Sequence, residues 1–139
     1  MVNAYLDASV LYSVLIADTH SERVGAWLVD GPTVTFSLWT LTETSSALSH
    51  AQRTGRITAG ERRGAEIEMD RLLDPTRPDA VIGPEDFLEA RRLLERHTTL
   101  RAPDALHLAI AEREGWALAT LDRGLAAAAE QQGVTLALP

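Results

Sequence analysis

The segment Leu100–Arg123, LRAPDALHLAIAEREGWALATLDR, contains a helical pattern followed directly by a strand pattern. Pro103 suits the first turn of a helix, because the N–H that proline lacks has no partner there, and Gly115 is typical of the position just after a last turn. The short apolar run Trp116–Ala119 then has the length of a buried strand. We therefore predict a helix from Pro103 to about Glu114 and a strand over Trp116–Ala119.

The same alternation extends over the rest of the chain. Strands are expected at Val2–Leu6, Thr33–Ser37, Ala80–Ile82 and Val134–Leu138. Helices are expected at Ala8–Ile16, Ser21–Val29, Thr40–Arg53, Thr58–Leu73, Pro84–His97 and Arg123–Gln131, with a loop marked by Pro75 and Pro78. Alternating strands and helices indicate an α/β fold with a mainly parallel sheet covered on both faces. No linker or internal repeat is visible, so we expect one domain over residues 1–139.

The composition excludes several kinds of chemistry. The chain has no Cys, which excludes disulfides, zinc–thiolate sites and iron–sulfur clusters. A net charge of −7 argues against a generally basic nucleic-acid-binding surface. All 13 basic residues are nevertheless Arg, whose guanidinium suits phosphate groups, although a GC-rich genome gives the same bias. The start of the chain has no basic leader and no apolar run is of membrane-spanning length, so we expect a cytoplasmic protein.

Four carboxylates stand where an α/β sheet binds its ligands, beyond the carboxyl ends of the strands. Asp7 and Asp122 follow predicted strands, but both also have the positions of helix N-caps. Glu43 lies in the first turn of a predicted helix, three residues after Thr40, which is the spacing of a capping box. Asp104 lies in another first turn, where it complements the helix dipole.

Taken together, four acids at one end of a sheet would repel each other unless a cation bound between them. Ligand sets made only of oxygen favour hard cations such as Mg²⁺ or Mn²⁺. Such a cation can activate water and stabilise charge on a phosphoryl group. The residues alone therefore indicate an acidic metal site on an α/β sheet, without naming its substrate.

Four segments resemble the acidic motifs of PIN domains. They are Tyr5-Leu6-Asp7-Ala8-Ser9, Leu41-Thr42-Glu43-Thr44, Leu100–Ala109 and Ala119-Thr120-Leu121-Asp122-Arg123. The third segment has the form typical of VapC-type toxins, apart from Pro103, where other residue types are common. The resemblance covers essentially the whole chain.

The resemblance implies a three-layer α/β/α sandwich with a parallel sheet of about five strands. It implies that Asp7, Glu43, Asp104 and Asp122 are the catalytic residues and the ligands of Mg²⁺ or Mn²⁺, and that Ser9 and Thr120 add hydroxyl contacts. The implied activity is that of an endoribonuclease toxin that hydrolyses RNA, such as tRNA or ribosomal RNA, with metal-activated water. The implied partners are a VapB-type antitoxin and a second copy of the chain in a homodimer.

Two other functions compete with this interpretation. A phosphoacceptor receiver domain also gathers acids and Mg²⁺ at strand ends, but it uses a lysine, and this chain has none. A non-catalytic component of an antitoxin complex is the second alternative, which a missing Asp104 or Asp122 would favour.

Several further residues have more than one interpretation. His107, three residues after Asp104, orients a ligand or contacts phosphate, or else is a packed structural histidine. The basic stretch from Arg53 to Arg63 tracks an RNA backbone or is a solvated surface. Trp39 stacks on a base or belongs to the core or a dimer interface. We expect surface positions for His20, His50 and His97.

Overall fold

The structure, a computed structural model, describes residues 3–73 and 80–138 and is built on a parallel sheet. Its strands are β1 (Asn3–Leu6), β2 (Thr33–Thr35) and β3 (Ala117–Ala119), in the order β2-β1-β3. Both neighbours of β1 run parallel to it. The carboxyl end of β1 therefore lies between the carboxyl ends of the other two strands.

The described residues form three strands rather than the expected five or so. The two missing strands are each reduced to a single parallel bridge, from Ala80 to Ser37 and from Leu136 to Leu118. Ala80 is paired, whereas residues 81–82 lie outside any strand and are followed directly by Gly83, the N-cap of a helix. Both bridges extend the sheet at its edges, where proteins often keep strands short. The expected loop around Pro75 and Pro78, and Val2 of the first strand, lie outside the described residues.

Seven helices surround this sheet in the described part of the chain. They are α1 (Ala8–Leu15), α2 (Ser21–Val29), α3 (Leu38–Arg53), α4 (Ala59–Leu72), α5 (Pro84–Arg96), α6 (Ala102–Glu114) and α7 (Arg123–Gln131). Their ends agree with the expected helices to within two residues. None of these helices is both long enough and apolar enough to span a bilayer.

The beginning of α3 differs from the expectation in a way that affects the site. Ser37, not Thr40, is the N-cap, and these two residues form the capping box between them. The expected capping box of Thr40 with Glu43 is therefore wrong. Glu43 lies in the second turn of α3 and is not engaged as a cap.

The core divides over the two faces of the sheet. On one face, Tyr5 of β1 and Leu118 of β3 pack with the buried sides of α5, α6 and α7. On the other face, Leu6 and Ala119 pack with residues of α1 and α2. Because consecutive side chains of a strand point to opposite faces, these neighbours in sequence separate into two layers. The three-layer α/β/α architecture is thus confirmed.

Candidate active site

The four acidic residues all line one cleft at the carboxyl ends of β1 and β3. The cleft has a volume of about 460 Å³, and its lining includes Asp7, Glu43, Asp104 and Asp122. Asp7 follows β1 directly and Asp122 follows β3 by three residues, while α3 and α6 bring the other two acids from the side. The described structure therefore brings together every acid that the sequence singled out.

Asp7 is the most deeply buried of the four, with 2% of its surface exposed. Its Oδ1 accepts hydrogen bonds from the Ser9 hydroxyl (2.6 Å) and the Val10 N–H (3.1 Å), and its Oδ2 accepts from the Thr120 hydroxyl (2.5 Å). Burial raises the pKa of Asp7 above its ordinary value, although these hydrogen bonds act in the opposite direction. The two hydroxyls that the resemblance singled out, those of Ser9 and Thr120, thus both contact this carboxylate.

Asp104 and Asp122 share a cationic neighbour. Arg101 Nε lies 3.5 Å from Asp104 Oδ2, and Arg101 Nη2 lies 3.9 Å from Asp122 Oδ2. Burial, and next the charge of Asp122, raise the pKa of Asp104 to about 6, although Arg101 lowers it. Because the Arg101 side chain is 75% exposed, solvent screens its attraction and the repulsion between the acids prevails.

Glu43 is held by a residue from another element. Its Oε1 lies 2.5 Å from Nε2 of His107 on α6, and Nδ1 of the same imidazole lies 2.8 Å from the hydroxyl of Tyr5 on β1. His107 is 1% exposed, and it lines the cleft next to Glu43. It is therefore a packed, hydrogen-bonded histidine that also contacts one of the four acids.

Asp7 and Asp122 are also helix N-caps. Asp7 caps α1 through its contact with Val10, and Asp122 Oδ1 accepts the N–H of Leu125 at 2.8 Å to cap α7. The two interpretations of these residues are therefore compatible. A carboxylate that accepts one or more N–H or O–H groups still has lone pairs free for a cation.

Mg²⁺ or Mn²⁺ fits this cleft as a partly hydrated ion. Among residues 3–73 and 80–138, no three Asp, Glu or His side chains are arranged to hold one ion at once. Mg²⁺ usually keeps several waters and binds proteins through one or two carboxylates. The cleft offers oxygen donors of this kind, and a cation would offset the burial and the repulsion by Asp122 that raise the pKa of Asp104.

The lining of the cleft also includes nitrogen-bearing side chains. They are those of His20, His50 and Arg56, although no local sequence pattern connected the two histidines with a site. His97, expected at the surface, is buried and hydrogen-bonds Gln132 at 3.0 Å. Trp39 does not line the cleft and packs instead against the core cluster of α5 and α6.

Sequence reasoning missed the roles of Arg101 and Tyr5. Arg101 stands three residues before Asp104, so its place next to a helix-start acid was a usable signal. Tyr5 lies within the first strand, where its contact with His107 spans 102 residues of sequence. No local pattern reports a contact of that range.

Comparison with known proteins identifies the family. The family model for the PIN domain matches residues 4–131, so the chain belongs to the PIN-domain family. PIN domains are generally nucleases and typically bind divalent metal ions. No protein in the search of curated sequences matches significantly.

Several solved structures share the fold. PAE2754 from Pyrobaculum aerophilum is 25% identical, with a TM-score of 0.66, over 91% of this chain and 86% of that chain. VapC20 from Mycobacterium tuberculosis, a sarcin–ricin loop cleaving toxin, is 18% identical, with a TM-score of 0.72, over 90% and 94%. FitAcB from Neisseria gonorrhoeae is 22% identical, with a TM-score of 0.66, over 96% and 95%.

The raised pKa of Asp104 predicts a pH dependence of stability. In the folded state this pKa is about 6 against an ordinary 3.8, so the folded protein holds the proton more tightly. The contribution of Asp104 to stability is therefore lost as the pH rises from about 4 through about 6. Without metal, Asp104→Asn should exceed the wild type in free energy of unfolding at pH 7, by on the order of 1–2 kcal/mol after solvent screening.

Urea unfolding at pH 5 and pH 7 in EDTA measures this effect. The gain of the variant over the wild type should be larger at pH 7 than at pH 5. Asp70→Asn, at an exposed position on α4, is the matched control and should show no such change. If Asp104 only complements a helix dipole, Asp104→Asn should instead lose a few tenths to about 1 kcal/mol at pH 7.

Proposed function

We propose that the chain is a metal-dependent endoribonuclease that acts as the VapC-type toxin of a toxin–antitoxin pair. The observation that carries this proposal is the meeting of Asp7, Glu43, Asp104 and Asp122 in one cleft of a PIN fold. The competing receiver function would need a lysine, which the chain lacks. No residue of the cleft favours a purely non-catalytic role.

The four acids would hold Mg²⁺ or Mn²⁺, which activates water and stabilises charge on the scissile phosphate when bound. Asp7 is kept in place by Ser9 and Thr120, so its carboxylate enters the reaction with little freedom to reorient. In-line attack by water needs no nucleophilic side chain. The products would carry 5′-phosphate and 3′-hydroxyl ends.

The arginines at the cleft support a polyanionic substrate. Arg101 lies beside Asp104 and Asp122, and Arg56 also lines the cleft. Arg56 is exposed, and none of the salt bridges among residues 3–73 and 80–138 involves it. A guanidinium in this position suits a phosphate of an RNA strand that crosses the cleft. The target would be a structured RNA, such as tRNA or ribosomal RNA, since the structurally similar VapC20 cleaves the sarcin–ricin loop.

Two protein partners belong to this proposal. A nuclease toxin has to be blocked while it accumulates, which a VapB-type antitoxin would do by inserting a basic side chain among the carboxylates. A second copy of the chain would form a homodimer. Apolar side chains on and near α5 support such an interface, among them those of Val81, Phe87 and Leu88. In a single chain their apolar surface is exposed to water, and a second copy would cover it.

The first test of the proposal is cleavage of RNA by the purified chain, free of any antitoxin. Asp7→Asn should lower the rate by at least roughly 100-fold, because even groups one step removed from a metal commonly contribute 10–100-fold. The helix cap should survive, since Asn caps nearly as well as Asp. Asp70→Asn is the control and should cleave normally. Full-rate cleavage in excess EDTA would contradict the metal mechanism.

The second test concerns Arg56 and its proposed contact with the phosphates of the RNA. Arg56→Gln should raise KM several-fold with little change in kcat, and should reduce the slope of log KM against log salt by about 1. Arg63→Gln is the matched control, because Arg63 is exposed but does not line the cleft. Equal effects of the two substitutions would remove Arg56 from the substrate path.

The third test separates a toxin from an ordinary nuclease. Expression of the wild-type chain alone should arrest growth of the host, and expression of the Asp7→Asn variant should not. Growth should return when a VapB-type antitoxin that binds the chain is co-expressed. If the wild type and the variant affect growth equally, the toxin function is wrong.

A further inference from the structure

A continuous series of polar side chains runs from the core to Glu43. The hydroxyl oxygens of Ser37 and Tyr5 are 2.7 Å apart, Tyr5 is 2.8 Å from His107 Nδ1, and His107 Nε2 is 2.5 Å from Glu43 Oε1. Ser37, Tyr5 and His107 are each at most 1% exposed. The series joins β1, the start of α3 and α6, and its last two members, His107 and Glu43, line the cleft.

The donors and acceptors of this series can be assigned from its end. A carboxylate oxygen that serves a cation accepts hydrogen bonds and does not donate them, so His107 Nε2 is the donor to Glu43 Oε1. In the Nε2–H tautomer of imidazole Nδ1 is the acceptor, and its partner, the Tyr5 hydroxyl, donates to it. A phenol has this proton to donate near neutral pH.

The first member supports the same direction. Ser37 Oγ accepts the N–H of Thr40 at 3.2 Å, which leaves its own hydroxyl proton free to point at Tyr5. The Thr40 hydroxyl has a strong acceptor elsewhere, the carbonyl of Leu6 at 2.9 Å. Every proton in the series therefore points toward Glu43.

We propose that Ser37, Tyr5 and His107 form a one-way hydrogen-bond chain that fixes the Nε2–H tautomer of His107 and so holds the Glu43 carboxylate in the cleft. His107 and Tyr5 are positioning residues that act through Glu43: Tyr5 does not line the cleft, and His107 is buried with its Nε2 against Glu43 Oε1. The proposal rests on the proposed function, since it takes Glu43 to be a metal ligand. It explains why an apolar side chain does not occupy the buried position 107.

Glu43 needs such support more than the other acids do. Asp7 and Asp122 have short side chains that backbone N–H groups already fix at helix starts. Glu43 has three rotatable bonds, stands in the second turn of α3 and receives no backbone hydrogen bond among the described residues. Outer groups that orient a metal ligand typically contribute 10–100-fold in metal affinity.

The tautomer can be measured without metal and without RNA. Long-range ¹H–¹⁵N correlation spectra of the full chain near neutral pH should show His107 protonated at Nε2 and unprotonated at Nδ1. In Tyr5→Phe, which keeps the ring but removes the donor, the Nδ1 signal should move and the tautomers should mix. A wild-type spectrum with Nδ1–H, or with both nitrogens protonated, would overturn the chain whatever the protein's activity is.

The positioning role is measured as Mn²⁺ affinity by electron paramagnetic resonance of the free ion. His107→Leu should weaken binding about 10–100-fold. His107→Gln, whose amide N–H can occupy the place of Nε2–H, should recover most of this loss, and Tyr5→Phe should fall between. Tyr12→Phe is the control, since Tyr12 lines the same cleft but its hydroxyl has no hydrogen bond within the described ranges.

The outcomes distinguish this proposal from the function on which it rests. Mn²⁺ affinity in Tyr5→Phe and His107→Leu that equals that of the wild type would overturn the positioning role while leaving the metal site intact. A wild type that binds no Mn²⁺ would overturn the proposed function, and with it the role of Glu43, even with the tautomer in place. If His107→Leu does not fold, Tyr5→Phe still decides the question: wild-type affinity in that variant overturns the positioning role.

Discussion

The buried carboxylate of Asp7 is the group on which the arrangement of the cleft depends. A charge this deep in a protein is tolerated only where hydrogen bonds satisfy it, and three donors reach its two oxygens. Two of these donors also accept a hydrogen bond, since Ser9 Oγ accepts the N–H of Leu121 and Thr120 Oγ1 accepts the N–H of Asp122. The need to satisfy one charge therefore ties the loop after β3 to the end of β1.

The features that could be predicted from the sequence depend on short stretches of chain. Alternating helix and strand patterns, Pro103 in a first turn and Gly115 after a last turn are local signals, and they indicated the parallel sheet and the helix limits. Asp7 and Asp122 could be found because each follows a strand, and adjacent parallel strands end at the same edge of a sheet. The acidic end of the cleft could therefore be assigned before any contact was known.

The remaining features depend on contacts between distant residues. Ser37 and Thr40 are both good N-caps, and local propensity does not choose between them. In the folded chain Ser37 is held by Tyr5, 32 residues away, and this contact agrees with a helix that begins before Thr40. The residue at which α3 begins determines which of its side chains face α6. The position of Glu43 next to His107 therefore follows from the choice of Ser37 as the N-cap. The edge strands were overestimated for a related reason: apolar residues such as Ala80, Val134 and Leu138 are buried in the core, but only one residue of each segment pairs with the sheet.

Asp7 and Asp122 are both helix caps and members of the acidic cleft. These two roles explain how a site whose carboxylates repel each other is compatible with a stable fold. Each carboxylate gains hydrogen bonds from N–H groups at a helix start, where the helix dipole also favours negative charge. Asp104, in a first turn, shares the dipole but accepts no cap hydrogen bond among the described residues, and its pKa is the one raised by neighbouring acids as well as by burial. Burial raises the pKa of both Asp7 and Asp104, but only at Asp104 does the charge of Asp122 add to it. A ligand cation near Asp104 would offset this repulsion, which no cap hydrogen bond compensates there.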